Sequence, residues 1–384
     1  MGRALKYLLF VLVLGTLWMP ISNKMFKYVP AWPLNGSYET LTEPEFSWEE
    51  WFEGTYQEKA EPWFNEKMSI REYLVRFRNQ YYFSVFKEAK ANGVAPAKNG
   101  VLLDVEYVQA FYGTDFAGED FLTEKLERWK RVQYGLDSIG VKAFLAFAPG
   151  KGSFFEEDFS DFLKDTHQPT TNYKFISEWC SANEVRSLDL KKIYHCWSDT
   201  SIYPLFPKGG IHWTDYGVAH VCDTLRGYIQ HVTGKPLQKF WFDIEVSDTA
   251  RDGDNDIAVG MNLLYTPNKQ RLAYPIRYFG EDPEIGKTKL LTIADSYYYG
   301  IVYSGFSDRI CSFGGFWYYF KETYPSKLFR SKNVEELDIL SELKKQDVLM
   351  LMMTEPQLKR LGWGSIEKLE ELLYPPKTNL ESPS

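Results

Sequence analysis

Two short segments carry residues whose types and placement suit nucleophilic chemistry. The first is Ala294-Asp295-Ser296-Tyr297, which directly follows the apolar run Leu290-Leu-Thr-Ile293. A serine just past a buried strand and ahead of a helix holds its hydroxyl on a tight turn faced by helix amides, the placement of an attacking group. A serine there can equally serve as a plain helix cap. The second segment runs Tyr203-Pro-Leu-Phe-Pro-Lys-Gly-Gly210-Ile-His212-Trp213-Thr214-Asp215-Tyr-Gly217. Its prolines and glycines read as a loop that delivers His212 to the start of a helix, with Thr214 as N-cap and Val218, Val221, Cys222, Leu225 and Ile229 as the apolar face. An imidazole so placed can act as a general base. His167, His195, His220 and His231 have no comparable setting, and Asp215 complements the positive end of the helix.

Two other segments imitate known sites and fail on detail. Asp252-Gly-Asp254-Asn-Asp256 resembles a calcium loop, but Ile257 stands where glycine is needed and Leu263 where the bidentate glutamate belongs, so it reads as a turn. Pro149-Gly150-Lys151-Gly152-Ser153 lacks the upstream glycine of a phosphate loop, although its place after a strand leaves Lys151 as a candidate lining residue.

The elements that must position these residues are legible as patterns. Leu122, Leu126, Trp129, Val132, Leu136 and Ile139 recur at helical spacing, Gly140 ends that helix, and the run Ala143–Ala148 follows as a strand buried on both faces. Leu290–Ile293 and Val348–Met353 are similar runs, and Val185–Leu190 is a weaker one. Alternating amphipathic helices and buried strands predict an α/β sandwich around a mostly parallel sheet, with function at the carboxyl ends of the strands. Upstream, the spacing of Ile70, Tyr73, Leu74 and Phe77 predicts a helix within 61–91, and 28–60 reads as an irregular arm rich in Pro, Trp and Glu.

The chain opens with Arg3 and Lys6 ahead of an apolar stretch from Tyr7 to Ile21, with no small-residue cleavage site after it. That favours an uncleaved signal anchor over a cleaved signal peptide, with the remainder outside the cytoplasmic membrane. The balance 44 − 52 = −8 argues against a nucleic-acid partner. Aromatics make up 17% of the residues, enough for a large core or a groove that stacks sugar rings. Cys180, Cys196, Cys222 and Cys311 show no zinc spacing; Cys180 and Cys196 either close a loop as a disulfide or remain free thiols.

A His-Trp segment followed about eighty residues later by an Asp-Ser turn resembles the SGNH-hydrolase-like polysaccharide O-acetyltransferases of the alginate type, the AlgJ/AlgX-like family. The likeness spans roughly residues 96–360 and includes the strand ending in Pro149-Gly150-Lys151 and the late strand Asp347–Glu355. It implies a three-layer SGNH-hydrolase-like fold preceded by a signal anchor (1–24) and a partly helical arm (25–95), with a catalytic domain over 96–375 and a tail over 376–384. It also implies Ser296 as nucleophile, His212 as base, Asp295 as the aspartate that stabilises the turn, and Trp213 as a neighbour of the site. Gly210 stands where the family has its triad aspartate, which leaves Asp189 or Asp215 as the acid, a Ser–His dyad, or no activity. Oxyanion donors are sought at the Ser296 amide, Gly314 and Asn262, and substrate-lining groups at Trp213, Tyr297 and Lys151. The resemblance implies acetyl transfer to an extracytoplasmic polysaccharide at the periplasmic face of the membrane. The donor would be a membrane-bound O-acyltransferase, with no metal or soluble cofactor. A carbohydrate acetyl esterase and an inactive, membrane-anchored glycan-binding protein are the alternatives.

Overall fold

The computed structural model describes residues 2–36, 41–266 and 269–375; the predicted tail over 376–384 lies outside them. The chain divides into two compact units. One comprises Met1–Pro96 and Asp256–Pro267, and the other Ala97–Asn255 and Asn268–Ser384. The first unit therefore takes in, beyond the arm read from sequence, a segment from the middle of the chain.

In the first unit, α1 (Arg3–Phe26) is long and apolar enough to cross a membrane. It is followed by α2 (Trp48–Glu53), α3 (Thr55–Lys67), α4 (Arg71–Phe86) and β1 (Val94–Pro96). The single helix expected within 61–91 is two helices, because Ile70 adopts a left-handed backbone (φ 64°) that breaks the run. Nor do the apolar residues of α4 face a core. Arg76, Asn79 and Gln80 are its buried positions, while Leu74 and Phe77 are exposed. The buried side is polar because backbone carbonyls there need donors. Arg76 Nη2 donates to Pro33 O at 2.8 Å, and Asn79 Nδ2 to Met261 O at 2.9 Å.

The second unit holds β2 (Leu102–Asp104), α5 (Val105–Tyr112), α6 (Glu119–Ser138), β3 (Lys142–Ala148), α7 (Asn172–Ala182), β4 (Ser187–Asp189), α8 (Leu190–Ser198) and α9 (Asp215–Thr233). After these come β5 (Phe240–Ser247), β6 (Leu272–Phe279), β7 (Lys289–Ala294), β8 (Ser312–Tyr318), β9 (Glu322–Tyr324) and β10 (Val348–Thr354). Two further short helices are α10 (Asp256–Gly260), which falls in the first unit, and α11 (Tyr298–Tyr303) in the second. A six-stranded sheet runs β4-β3-β10-β7-β8-β9; all neighbours are parallel except the edge pair β8–β9.

Alternate residues of each strand enter opposite layers. Phe144, Ala146, Val348, Met350 and Met352 pack with Val218, Val221, Cys222, Leu225 and Ile229 of α9. Ala143, Leu145, Phe147, Leu349, Leu351 and Met353 pack with Leu122, Leu126, Trp129 and Val132 of α6 and with Ile366 and Leu369 of the helix Ser365–Leu373. The result is the α/β sandwich around a mostly parallel sheet that the periodicities predict, in the three layers that the resemblance implies. The hairpin β5–β6 and the edge β8–β9 are additions. In β8 the Gly314-Gly315 pair interrupts the apolar run, so the strand carries a weak pattern of its own. All four cysteines are free. Cys180 is sealed in the core and Cys196 is exposed on α8, so the disulfide considered between them is not formed.

Candidate active site

The end of β7 lies near the middle of the sheet, and Asp295 fixes the turn that leaves it. Its Oδ2 accepts from the Thr354 amide at 2.8 Å and the Thr354 hydroxyl at 2.7 Å, joining the carboxyl ends of β7 and β10. Its Oδ1 accepts from the Tyr297 amide at 3.1 Å and closes the turn over Ser296. Burial pushes the Asp295 carboxyl above the usual carboxylate range, while the hydrogen bonds from Thr354 and Tyr297 act in the opposite direction. Ser296 itself is part-exposed.

The histidine loop is tied down along its length. Thr214 caps α9 by accepting from Gly217 N at 3.1 Å, and its hydroxyl donates to Pro204 O at 2.9 Å. Lys151, buried at the end of β3, donates to the carbonyls of Leu102 (2.7 Å), Lys208 (2.9 Å) and Gly210 (2.6 Å). The Tyr297 hydroxyl donates to Ile211 O at 2.7 Å, so a residue beside the serine holds a residue beside the histidine. As a result His212 Nε2 lies 3.0 Å from Ser296 Oγ, within the ~2.6–3.2 Å reach of proton transfer.

The remaining sequence-derived candidates go elsewhere. Asp189 caps α8 through Lys192 N (2.9 Å) and accepts from the Tyr173 hydroxyl (2.8 Å), so its carboxylate is committed to a helix start. Asp215 pairs with Arg277 at the start of α9. Lys151, Trp213 and Tyr297 do not line a surface; all three are buried and build the floor beneath the pair. Gly314 lies beside Leu290, at the bulge where the β7–β8 register shifts, while the strand end at Ala294 pairs with Tyr318. Four residues of strand, roughly 13 Å, therefore separate Gly314 from the serine turn. Asn262 belongs to the first unit and spends its side-chain amide on the carbonyls of Asn35 (2.9 Å) and Gly260 (3.0 Å). Of the oxyanion donors expected from sequence, the Ser296 amide is the one that lies at the Ser–His pair.

Two features of the site were missed in the sequence reading. Glu355, at the end of β10, accepts from Gly150 N (2.7 Å) and Ser153 Oγ (3.0 Å) and pairs with Lys191 at 2.5 Å, which anchors the loop carrying Lys151. Its place directly after a buried strand was the available signal. The second is the turn Asp252–Asn255. A Cβ on Gly210 would meet Gly253 O and would sit 2.8 Å from Asp254 C. The acidic turn thus occupies the space that a side chain two residues before His212 would need. Its signal was three carboxylates in five residues, set aside because they make a poor calcium loop. Among the described residues no group of His, Cys, Asp and Glu could hold a metal ion. Gly210→Ala is expected to lower stability by about 1–3 kcal/mol through overpacking, read as a fall in melting temperature with loss of activity; an unchanged melt would contradict the contact.

The fold and site define an α/β protein with a Ser–His pair at the carboxyl edge of a parallel sheet. No family model and no curated protein matches the sequence. Among solved structures, the chain is similar to the O-acetyltransferase domain of Pseudomonas putida AlgJ, with TM-score 0.47 and 14% identity, covering 73% of this chain and 99% of that one. It is also similar to Pseudomonas aeruginosa AlgX, with TM-score 0.46 and 12% identity, covering 71% of this chain and 66% of that one. A third similar structure is Bacillus cereus PatB1 with a sulfonyl adduct, with TM-score 0.41 and 8% identity over 69% of this chain and 97% of that one.

Proposed function

We propose that this protein transfers acetyl groups to hydroxyls of a polysaccharide outside the cytoplasmic membrane, through an acyl-enzyme on Ser296 with His212 as general base. The 3.0 Å approach of Nε2 to Oγ is the observation that carries this reading. His212 takes the hydroxyl proton as Oγ attacks the acetyl carbonyl, then returns it to the departing donor group. In the second half His212 takes a proton from a sugar hydroxyl, whose oxygen attacks the acetyl carbon, and returns it to the departing Ser296 Oγ. The Ser296 amide supplies one donor to each tetrahedral oxyanion. The acid that orients the imidazole comes from the turn Asp252–Asn255, which packs against Gly210 and stands in for the absent aspartate there. Following the family resemblance, the acetyl donor is a membrane-bound O-acyltransferase, and α1 retains the chain at the periplasmic face.

An aromatic strip beside the serine suits the flat faces of a pyranose acceptor. Tyr299 stacks with Tyr303 (5.9 Å) and meets Tyr318 (5.5 Å); Tyr303 is 72% exposed. Tyr319, whose amide donates to Ala294 O, and Phe320 both hold left-handed backbones in the β8–β9 turn. Such a turn favours Asn-Gly, and two rings there cost roughly 1–2 kcal/mol each. Tyr303→Ala is expected to raise the acceptor KM five- to tenfold, read by titrating oligosaccharide; a KM within twofold of the parent would remove Tyr303 from the acceptor site.

The function is tested by giving the purified chain 4-nitrophenyl acetate with and without unacetylated oligosaccharides and following both acetate and acetylated sugar. Acetylated sugar that depends on acceptor supports transfer. Acetate release at the same rate whatever the acceptor identifies an esterase. Glycan binding with neither product identifies the inactive alternative.

A further inference from the structure

The helix α4 is built inside out for a protein surrounded by water. Its buried positions are Arg76, Asn79 and Gln80, and its outward positions include Leu74, Phe77, Tyr81 and Val85, which are exposed and spaced by three and four along one side. Phe77 is 64% exposed. The polar side is not loosely placed, since Arg76 and Asn79 donate to backbone carbonyls of their own unit. Turning α4 over would leave those carbonyls without donors, so the apolar side is held outward.

What covers that side is indicated by α1, in the same unit. Asn23, in the last turn of α1, is buried; its Nδ2 donates to Ser69 Oγ at 2.5 Å and its Oδ1 accepts from Val29 N at 2.7 Å. Ser69 lies two residues before α4 begins. The segment that leads into α4 is therefore hydrogen-bonded to the end of the apolar helix, where Lys24 and Lys27 mark the passage from hydrocarbon to headgroups. Arg78 shares the outward side with Phe77 and Tyr81, a combination that puts a cation among lipid phosphates and rings at the acyl boundary.

We propose that the outward side of α4 rests in the headgroup layer of the membrane that α1 spans, so that the first unit is a membrane-surface module and not a spacer standing in water. This does not depend on the chemistry at Ser296.

The test uses the full chain carrying Cys196→Ser, which removes the exposed thiol and leaves Cys180, Cys222 and Cys311 buried. Phe77→Cys is then labelled with the environment-sensitive dye NBD, with Ile202→Cys, at an 85% exposed residue of the second unit, as the water-facing control. Both proteins are reconstituted into phosphatidylethanolamine–phosphatidylglycerol vesicles and checked for the parent melting temperature. The expected result is at least twofold stronger quenching of dye 77 than of dye 202 by doxyl-labelled lipid, and the reverse order with aqueous iodide. Iodide quenching of dye 77 equal to the control places the helix in water and overturns the proposal. Quenching of dye 77 by neither agent means a protein surface covers the helix, and overturns it equally. Tyr81→Cys repeats the measurement one turn further along, so a local defect at 77 does not decide the outcome.

Discussion

Ser296→Ala is expected to reduce turnover of 4-nitrophenyl acetate by at least ~10³-fold while leaving the melting temperature within a few degrees of the parent. The hydroxyl is the only atom removed. Ser296 is part-exposed as a residue, and the turn around it is held by Asp295, Thr354 and the Tyr297 amide. His212→Ala should produce a loss of similar size, and the double variant little more, because the two groups act as one unit and their effects do not add. The measurement is a single-turnover assay that follows acetyl incorporation into protein and identifies the labelled residue. Acetylation at a residue other than 296, or a Ser296→Ala rate within tenfold of the parent, would falsify the assignment of the nucleophile.

The second large effect is expected in the acidic turn. If the turn Asp252–Asn255 supplies the acid for His212, neutralising that acid costs roughly 10²–10⁴ in kcat while preserving shape, because the imidazole then loses the group that fixes its tautomer. Asp252→Asn and Asp254→Asn are compared singly. Asp254 is buried, and its hydrogen bond with the Tyr274 phenol helps raise the latter above its ordinary range, after the larger effect of burial. A collapse confined to one variant names the acid. Asp189→Asn serves as the contrast: its carboxylate caps α8 and holds Tyr173, so its loss should cost about 1 kcal/mol of stability and leave the rate within threefold. Equal rates for all three variants would leave a Ser–His dyad as the working site. A large loss for Asp189→Asn alone would reverse the placement of the acid.

Much of this protein is written locally. The helix α6, the strands β3, β7 and β10, the Thr214 cap and the turn at Ser296 follow from side-chain periodicity and capping chemistry, which depend on residues a few positions apart. The two helices α3 and α4 were misread as one because the break at Ile70 is a backbone conformation that a β-branched residue gives no hint of. The strand β5 alternates half-buried and exposed residues with charges between, a faint pattern beside the continuous runs of the central strands.

The site divides along the same line. That a serine and a histidine stood at element boundaries was determined by the residues themselves. That they meet was decided by the sheet order, which brings the ends of β3, β7 and β10 together and lets Lys151, Asp295 and Tyr297 clamp both loops. Which carboxylates are taken was also a tertiary matter. Asp189 is taken by the start of its own helix and Asp215 by Arg277 of β6, whereas the turn at 252–255 reaches Gly210 only because the chain folds back some forty residues later to lay backbone against a position with no side chain. Sequence spacing records neighbours along the chain, and contacts of this kind are settled by close packing between segments that no periodicity connects.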